Sequence, residues 1–231
     1  MLWGDSNAAH YIGMISTFAV KEGFQFRNLE LGSCPPLFGD PKDFVAAKRL
    51  ADCRDASNII QQAVEPFKIV IISASWNSYQ ERSKNFLDRF FDTARALARD
   101  GRLVILIGKA PIIPDYDRRC REKALSYPFL KCHFSSVPLS DDITKINARL
   151  KKFAQNTANV RYFDVTPYLC AQGLCSAFDP QGKPRYYDSS HLSMTGSLAL
   201  GADIWQQDGV PLPFNLIAYW PHRRASDSRP R

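Results

Sequence analysis

The sequence has no apolar run long enough to span a bilayer. Its longest runs include Ile69 to Ile72 and Leu103 to Ile107, far short of the roughly 20 residues a membrane helix needs. After Met1-Leu2-Trp3 the chain turns polar, with neither the basic region nor the apolar stretch of a signal peptide. There is no CxxC pair, which removes the common zinc and thioredoxin-type readings, and the acidic residues and histidines do not gather at ligand spacings, so no metal is expected. Histidine itself is scarce: only His10, His133, His191 and His222 occur. No stripe of lysine and arginine interleaves with aromatics. Part of the net charge of +7 belongs to the stretch from Pro221 to Arg231, where Arg223, Arg224, Arg229 and Arg231 stand against Asp227 alone. The mildly basic body that remains points to no nucleic-acid partner and leaves attraction to an acidic glycan or an anionic membrane surface open.

What is present is the composition of a folded chain: 231 residues, 45% hydrophobic and 23% charged. Apolar β-rich runs alternate with amphipathic segments from end to end, which predicts one α/β domain with a mostly parallel sheet between two helical layers. Strands are expected at Leu2-Trp3, Phe24 to Leu31, Phe67 to Ala74, Arg102 to Ile107 and Val160 to Asp164. The third and fourth are nearly continuous apolar runs, as central strands buried on both faces should be. Helices are expected at Ala8 to Glu22, Asp43 to Val64, Gln80 to Asp100, Asp141 to Thr157 and Met194 to Gln206, with Phe86, Phe90, Ala94 and Leu97 forming a core-facing stripe. Past Gln207 the prolines 211, 213 and 221 break regular structure; Phe214, Leu216, Ile217, Tyr219 and Trp220 are expected to wrap the body and the arginine-rich end to be disordered.

The six cysteines form three local couples, Cys34 with Cys53, Cys120 with Cys132 and Cys170 with Cys175. Cys34 precedes Pro35-Pro36, and Cys170 and Cys175 flank Gly173, so these are loop positions where a covalent staple helps most. Neighbour-to-neighbour disulfides are expected, and with them an oxidising compartment. Since no export signal is visible, the expectation is that an upstream export or membrane segment precedes this chain.

Two short blocks carry the chemistry. Gly4-Asp5-Ser6-Asn7 follows the first strand and opens the first helix, a place where a serine has its N–H at a helix start and its hydroxyl at the carboxyl edge of the sheet. Taken alone, it is as well read as a helix cap. At the far end Asp188-Ser189-Ser190-His191 puts a carboxylate three residues before an imidazole, so one loop delivers a base and the group that orients it. Of the four histidines, His191 alone has a carboxylate at such a spacing. Asp115, Asp117, Arg118 and Arg119 read as a solvated loop near these blocks.

Together these blocks resemble the SGNH (GDSL-type) hydrolase superfamily. With Cys34-Pro35-Pro36-Leu37, Ser73 to Tyr79 and the cysteine couples, the chain is similar to the periplasmic SGNH domain fused to membrane acyltransferases that O-acylate surface glycans. The resemblance spans Trp3 to about residue 206 and implies a flavodoxin-like α/β/α sandwich over residues 1–206, with 207–231 as an extension and basic tail. It implies Ser6 as nucleophile, His191 as general base and acid, and Asp188 as the residue that orients it. The oxyanion hole would comprise the Ser6 N–H, Gly32 and Asn77, with Ser33 or a donor beside Trp76 as alternatives; Asn7 and Trp76 are expected near the substrate. Where relatives commonly carry histidine after the nucleophile, this chain has Asn7, as a cap or a substrate contact. No cofactor is implied. The partners would be an acyl donor, a glycan acceptor such as lipopolysaccharide O-antigen or exopolysaccharide, and an upstream membrane acyltransferase, either fused or as a neighbouring membrane protein, placing the domain in the periplasm. A free-standing esterase is the alternative, and an idle glycan-binding module using Trp76, Tyr79 and Trp220 as a sugar platform is a third.

Overall fold

The structure, a computed structural model, describes residues 1–132 and 134–220. The elements, in chain order, are β1 (Leu2–Gly4), α1 (Ser6–Ala9), α2 (Ile12–Glu22), β2 (Asn28–Glu30), α3 (Leu50–Ala63), β3 (Ile69–Ser73), α4 (Trp76–Arg82), α5 (Phe86–Arg99), β4 (Leu103–Ile107), α6 (Cys120–Ser126), β5 (Val137–Pro138), α7 (Asp141–Gln155), β6 (Val160–Phe163), α8 (Thr166–Leu169), β7 (Cys170–Ala171), β8 (Leu174–Cys175) and α9 (Met194–Asp208). No helix among the described residues is long and apolar enough to cross a membrane.

Strands β2, β1, β3, β4 and β6 make one five-stranded sheet in that order, every pairing parallel. Alternate residues feed two separate cores. Trp3, Val70, Ile72, Val104 and Leu106 meet α3, α5 and α7, while Leu2, Ile71, Ile105 and Ile107 meet α2 and α9. The stripe Phe86, Phe90, Ala94 and Leu97 on α5 is buried as its spacing requires. This is the expected three-layer architecture, with the carboxyl ends of the strands gathered on one edge.

Several boundaries differ from the sequence reading. The first expected helix is divided into α1 and α2 at His10-Tyr11, where the Tyr11 hydroxyl donates to the Gly108 carbonyl at 3.1 Å. The third is divided into α4 and α5, and Gln80 holds the break: its Oε1 accepts from Leu87 N–H at 3.1 Å. Asp43–Ala46 is not helical, and only a single 3-10 turn, Ala47–Arg49, precedes α3. A small antiparallel sheet, β5-β8-β7, was not expected; its hairpin turns at Gln172 and Gly173, both in the left-handed region, and Cys170–Cys175 closes it. All three disulfides join neighbouring cysteines: Cys34–Cys53, Cys120–Cys132 and Cys170–Cys175.

Helices α2 and α9, from distant parts of the chain, pack against each other. A Cβ on Gly13 would lie 2.6 Å from Leu198 N, so glycine is what lets the two helices touch. Met14 N–H, one of the donors that a helix start leaves unpaired, is satisfied by Ser197 Oγ of α9 at 3.0 Å. Beyond α9, Phe214 and Ile217 enter the same core and the Trp220 indole donates to Gly101 O at 3.2 Å, while Tyr219 stays exposed. The expectation of disorder for the arginine-rich end concerns residues outside those described.

Candidate active site

The end of β1 is set by close contact. A Cβ on Gly4 would sit 1.8 Å from the Ser73 carbonyl oxygen, so the chain passes β3 here only as glycine. Asp5 then caps α1: its Oδ1 accepts from Asn7 N–H at 2.7 Å and its Oδ2 from Ser75 N–H at 2.9 Å. With both oxygens committed, Asp5 ties the turn after β1 to the turn after β3. Ser6 is thereby fixed as the first residue of α1, half-buried, and its own N–H has no partner among the described residues.

The loop before α9 supplies the opposing groups. Ser6 Oγ lies 2.9 Å from His191 Nε2, and His191 Nδ1 lies 2.9 Å from both Asp188 Oδ1 and Oδ2. An ionised carboxylate only accepts, so Nδ1 carries the proton facing Asp188 and Nε2 is left to accept from Ser6. Burial acts to raise the Asp188 pKa, yet the Ser190 N–H at 2.8 Å and the His191 imidazole and N–H outweigh it and hold the carboxyl below its usual value. These residues, brought together from positions 185 apart in the chain, form a line of hydroxyl, imidazole and carboxylate.

A buried cation lies behind this line. Lys109, in the loop after β4, is 2% exposed; its Nζ donates to Asn7 Oδ1 at 2.6 Å and to the Ser190 carbonyl at 3.3 Å. Burial pulls its pKa down to about 8, against the attraction of Asp5 and Asp188. Asn7, 3% exposed, is among the residues lining the same cleft as Ser6, and its Oδ1 is the acceptor for this ammonium. His10 packs nearby with its ring centroid 5.9 Å from that of His191, its Nδ1 accepts from Leu192 N–H, and burial, Lys109 and His191 together push its pKa well down, which makes it a neutral spacer. Lys109 is a residue that the sequence does not single out, because its partners Asn7 and Ser190 are distant in the chain.

The line opens on a cleft of about 520 Å³, whose walls include Ser33, Phe44, Val45, Ala46, Lys48, Arg49, Ser75, Ser78, Tyr79 and Arg82. A slightly larger depression, about 550 Å³, lies along α7 and β6 and contains none of the candidate groups. Helical periodicity decides which residues of α4 reach the cleft: Ser78, Tyr79 and Arg82 do, and Asn77 faces a different cavity against α7. The expected position of Asn77 is therefore corrected, because the segment read as a loop is already helix. Gly32 is corrected too: it does not line the cleft, and its carbonyl accepts from Arg49 at 3.0 Å, while Ser33, in the left-handed region at φ 63°, forms that wall. Trp76 is fully buried and its indole donates to Ile107 O at 3.1 Å, so it meets no substrate. Tyr79 is 5% exposed, which with Trp76 removes the aromatic sugar platform. On the cleft side, Ser75 Oγ donates to Ser78 Oγ at 3.0 Å and leaves the Ser78 proton free.

Comparison with known proteins agrees with this architecture. Residues 1–206 match the family described as "SGNH domain (fused to AT3 domains)". The periplasmic domain of a lipopolysaccharide acetyltransferase from Salmonella ser. Paratyphi A has a similar fold, with a TM-score of 0.66 and 19% identity over 89% of this chain and 81% of that one. No curated protein sequence matches the chain.

Proposed function

Because the chain belongs to the SGNH domain family that occurs fused to AT3 domains, we propose that it transfers an acyl group, in the first instance acetyl, to hydroxyls of a cell-envelope glycan. The observation that carries this reading is the 2.9 Å approach of Ser6 Oγ to His191 Nε2, with Asp188 on the far nitrogen. His191 takes the Ser6 proton as Oγ attacks the acyl carbonyl; the charge that forms on the carbonyl oxygen is met by the Ser6 N–H and the Ser78 hydroxyl, with Ser33 beside them. His191 then returns the proton to the leaving group. An acceptor hydroxyl, deprotonated by the same imidazole, attacks the acyl-serine and regenerates Ser6. Asp188 stays ionised and stabilises the imidazolium. The name of the Salmonella neighbour supports an acetyl group and an envelope glycan, and three disulfides support an oxidising, extracytoplasmic site of action. A fused or neighbouring membrane acyltransferase would supply the acyl donor.

Hydrolysis is the second reading, favoured by a specific feature: His191 is 28% exposed at the cleft, so water reaches the acyl-serine. The two readings separate by product. Supplied with an acetyl donor and a glycan, the protein is expected to yield more acetyl-glycan than free acetate; free acetate alone makes it an esterase.

A further inference from the structure

We propose that the cleft holds an anionic substituent of the acceptor, a carboxylate or phosphate on the sugar, between Lys48 and Arg82. The inference rests on the glycan-acceptor reading above and narrows it to acidic glycans.

Three cations line the cleft, and they are not equivalent. Arg49 is committed: its guanidinium donates to Asp52 Oδ2 at 2.5 Å and to the Gly32 carbonyl at 3.0 Å. Lys48 and Arg82, by contrast, line the cleft and make no hydrogen bond or ion pair among the described residues. Several other surface arginines are paired with carboxylates, as in Arg54 with Asp40, Arg95 with Asp92 and Arg119 with Glu122. The carboxylate among the cleft residues, Asp5, accepts a backbone N–H on each of its oxygens and forms no ion pair with these cations. Negative charge is therefore used inward and positive charge is left facing the substrate.

The two cations come from separate segments of the cleft wall. Lys48 stands in the 3-10 turn before α3, and Cys53 of α3 is bonded to Cys34, the residue after Ser33. Arg82 ends the face of α4 that also presents Ser78 and Tyr79. Phe44, Val45 and Ala46 line the same cleft and offer apolar surface for the sugar ring or acyl methyl. An acceptor with charge on the ring would be held by both segments with a hydroxyl directed at Ser6.

The test uses Ser6→Ala, so that binding is read without turnover, and titrates three probes by calorimetry: an oligogalacturonate, its carboxyl-reduced counterpart, and a phosphorylated mannose oligosaccharide. At least one charged probe is expected to bind about tenfold tighter than the neutral one, the size expected of two exposed ion pairs. That preference should shrink with salt and disappear in Lys48→Ala/Arg82→Ala, whose fold is checked by thermal unfolding. Which charged probe wins distinguishes carboxylate from phosphate. Equal binding of all three, no binding of any, or a preference that survives the double substitution overturns the inference. Acyl-serine formation in the parent protein is measured separately: its presence with no charge preference refutes this inference alone, and its absence with the preference intact refutes the catalytic reading alone.

Discussion

Lys109 Nζ and Asn7 Oδ1 are 2.6 Å apart in the core, and the same ammonium reaches the carbonyl of Ser190, next to His191. One buried side chain thus joins the nucleophile's helix to the loop that carries the base. Replacing it with methionine leaves the buried Asn7 Oδ1 without its donor, a loss of about 1–3 kcal/mol, and frees the partly buried Ser190 carbonyl. Lys109→Met is expected to lower stability by about that amount in urea unfolding and to reduce kcat about 10- to 100-fold through misplacement of Ser6 against His191. Adding Asn7→Leu removes one orphan and should recover stability more than rate. If Lys109→Met keeps the parent kcat, the bridge has no positioning role.

Stability should depend on pH at both ends of the scale. Asp188 has a folded pKa below its usual value of 3.8, so its contribution is present above that value and is lost as pH falls through the lower folded one. Lys109 runs the opposite way: its folded value of about 8 lies below the usual 10.5, so between them the unfolded chain holds more protons and this group makes stability rise with pH. Asp188→Asn is expected to flatten the acid limb of unfolding free energy against pH, and Lys109→Met the alkaline rise. An unchanged curve in either variant contradicts the corresponding assignment.

Oxyanion stabilisation distinguishes what α4 presents from what its sequence suggests. Ser78→Ala is expected to reduce kcat for an acetyl ester about 10²-fold, the usual cost of one lost donor. Asn77→Ala, altering a side chain that faces another cavity, should remain near the parent rate. The reverse pattern would restore Asn77 to the site.

Those expectations show where the sequence was legible. Continuous apolar runs marked β3 and β4, because strands buried on both faces have no polar alternation to confuse the reading. Asp188 and His191 were legible because a three-residue spacing in one loop is a local property. Asn77 and Trp76 were misplaced because their direction depends on where α4 begins, and the Ser75-Trp76-Asn77-Ser78 stretch carries the polar residues of a loop. The cleft wall at Phe44 to Ala46 was read as helix, since its composition does not record that helical turns begin only at Ala47, after the Cys34–Cys53 loop has brought it into the same cleft as Ser6. Lys109 has no local signature: its partners lie 102 and 81 residues away.

Orientation of the imidazole is the next expectation. Asp188→Asn keeps the shape but offers an amide to Nδ1 and favours the wrong tautomer, so kcat is expected to fall about 10³- to 10⁴-fold with KM little changed. A loss confined to KM would place Asp188 in binding instead.

The central claim, that Ser6 carries the acyl group, is tested most directly by trapping the intermediate. After brief exposure to an activated acetyl ester and acid quench, peptide mass spectrometry of the parent protein should locate one acetyl group on Ser6, and Ser6→Ala should carry none at any site in comparable yield. An acetyl group on another residue at full yield, or equal turnover of the ester by Ser6→Ala, would contradict the account.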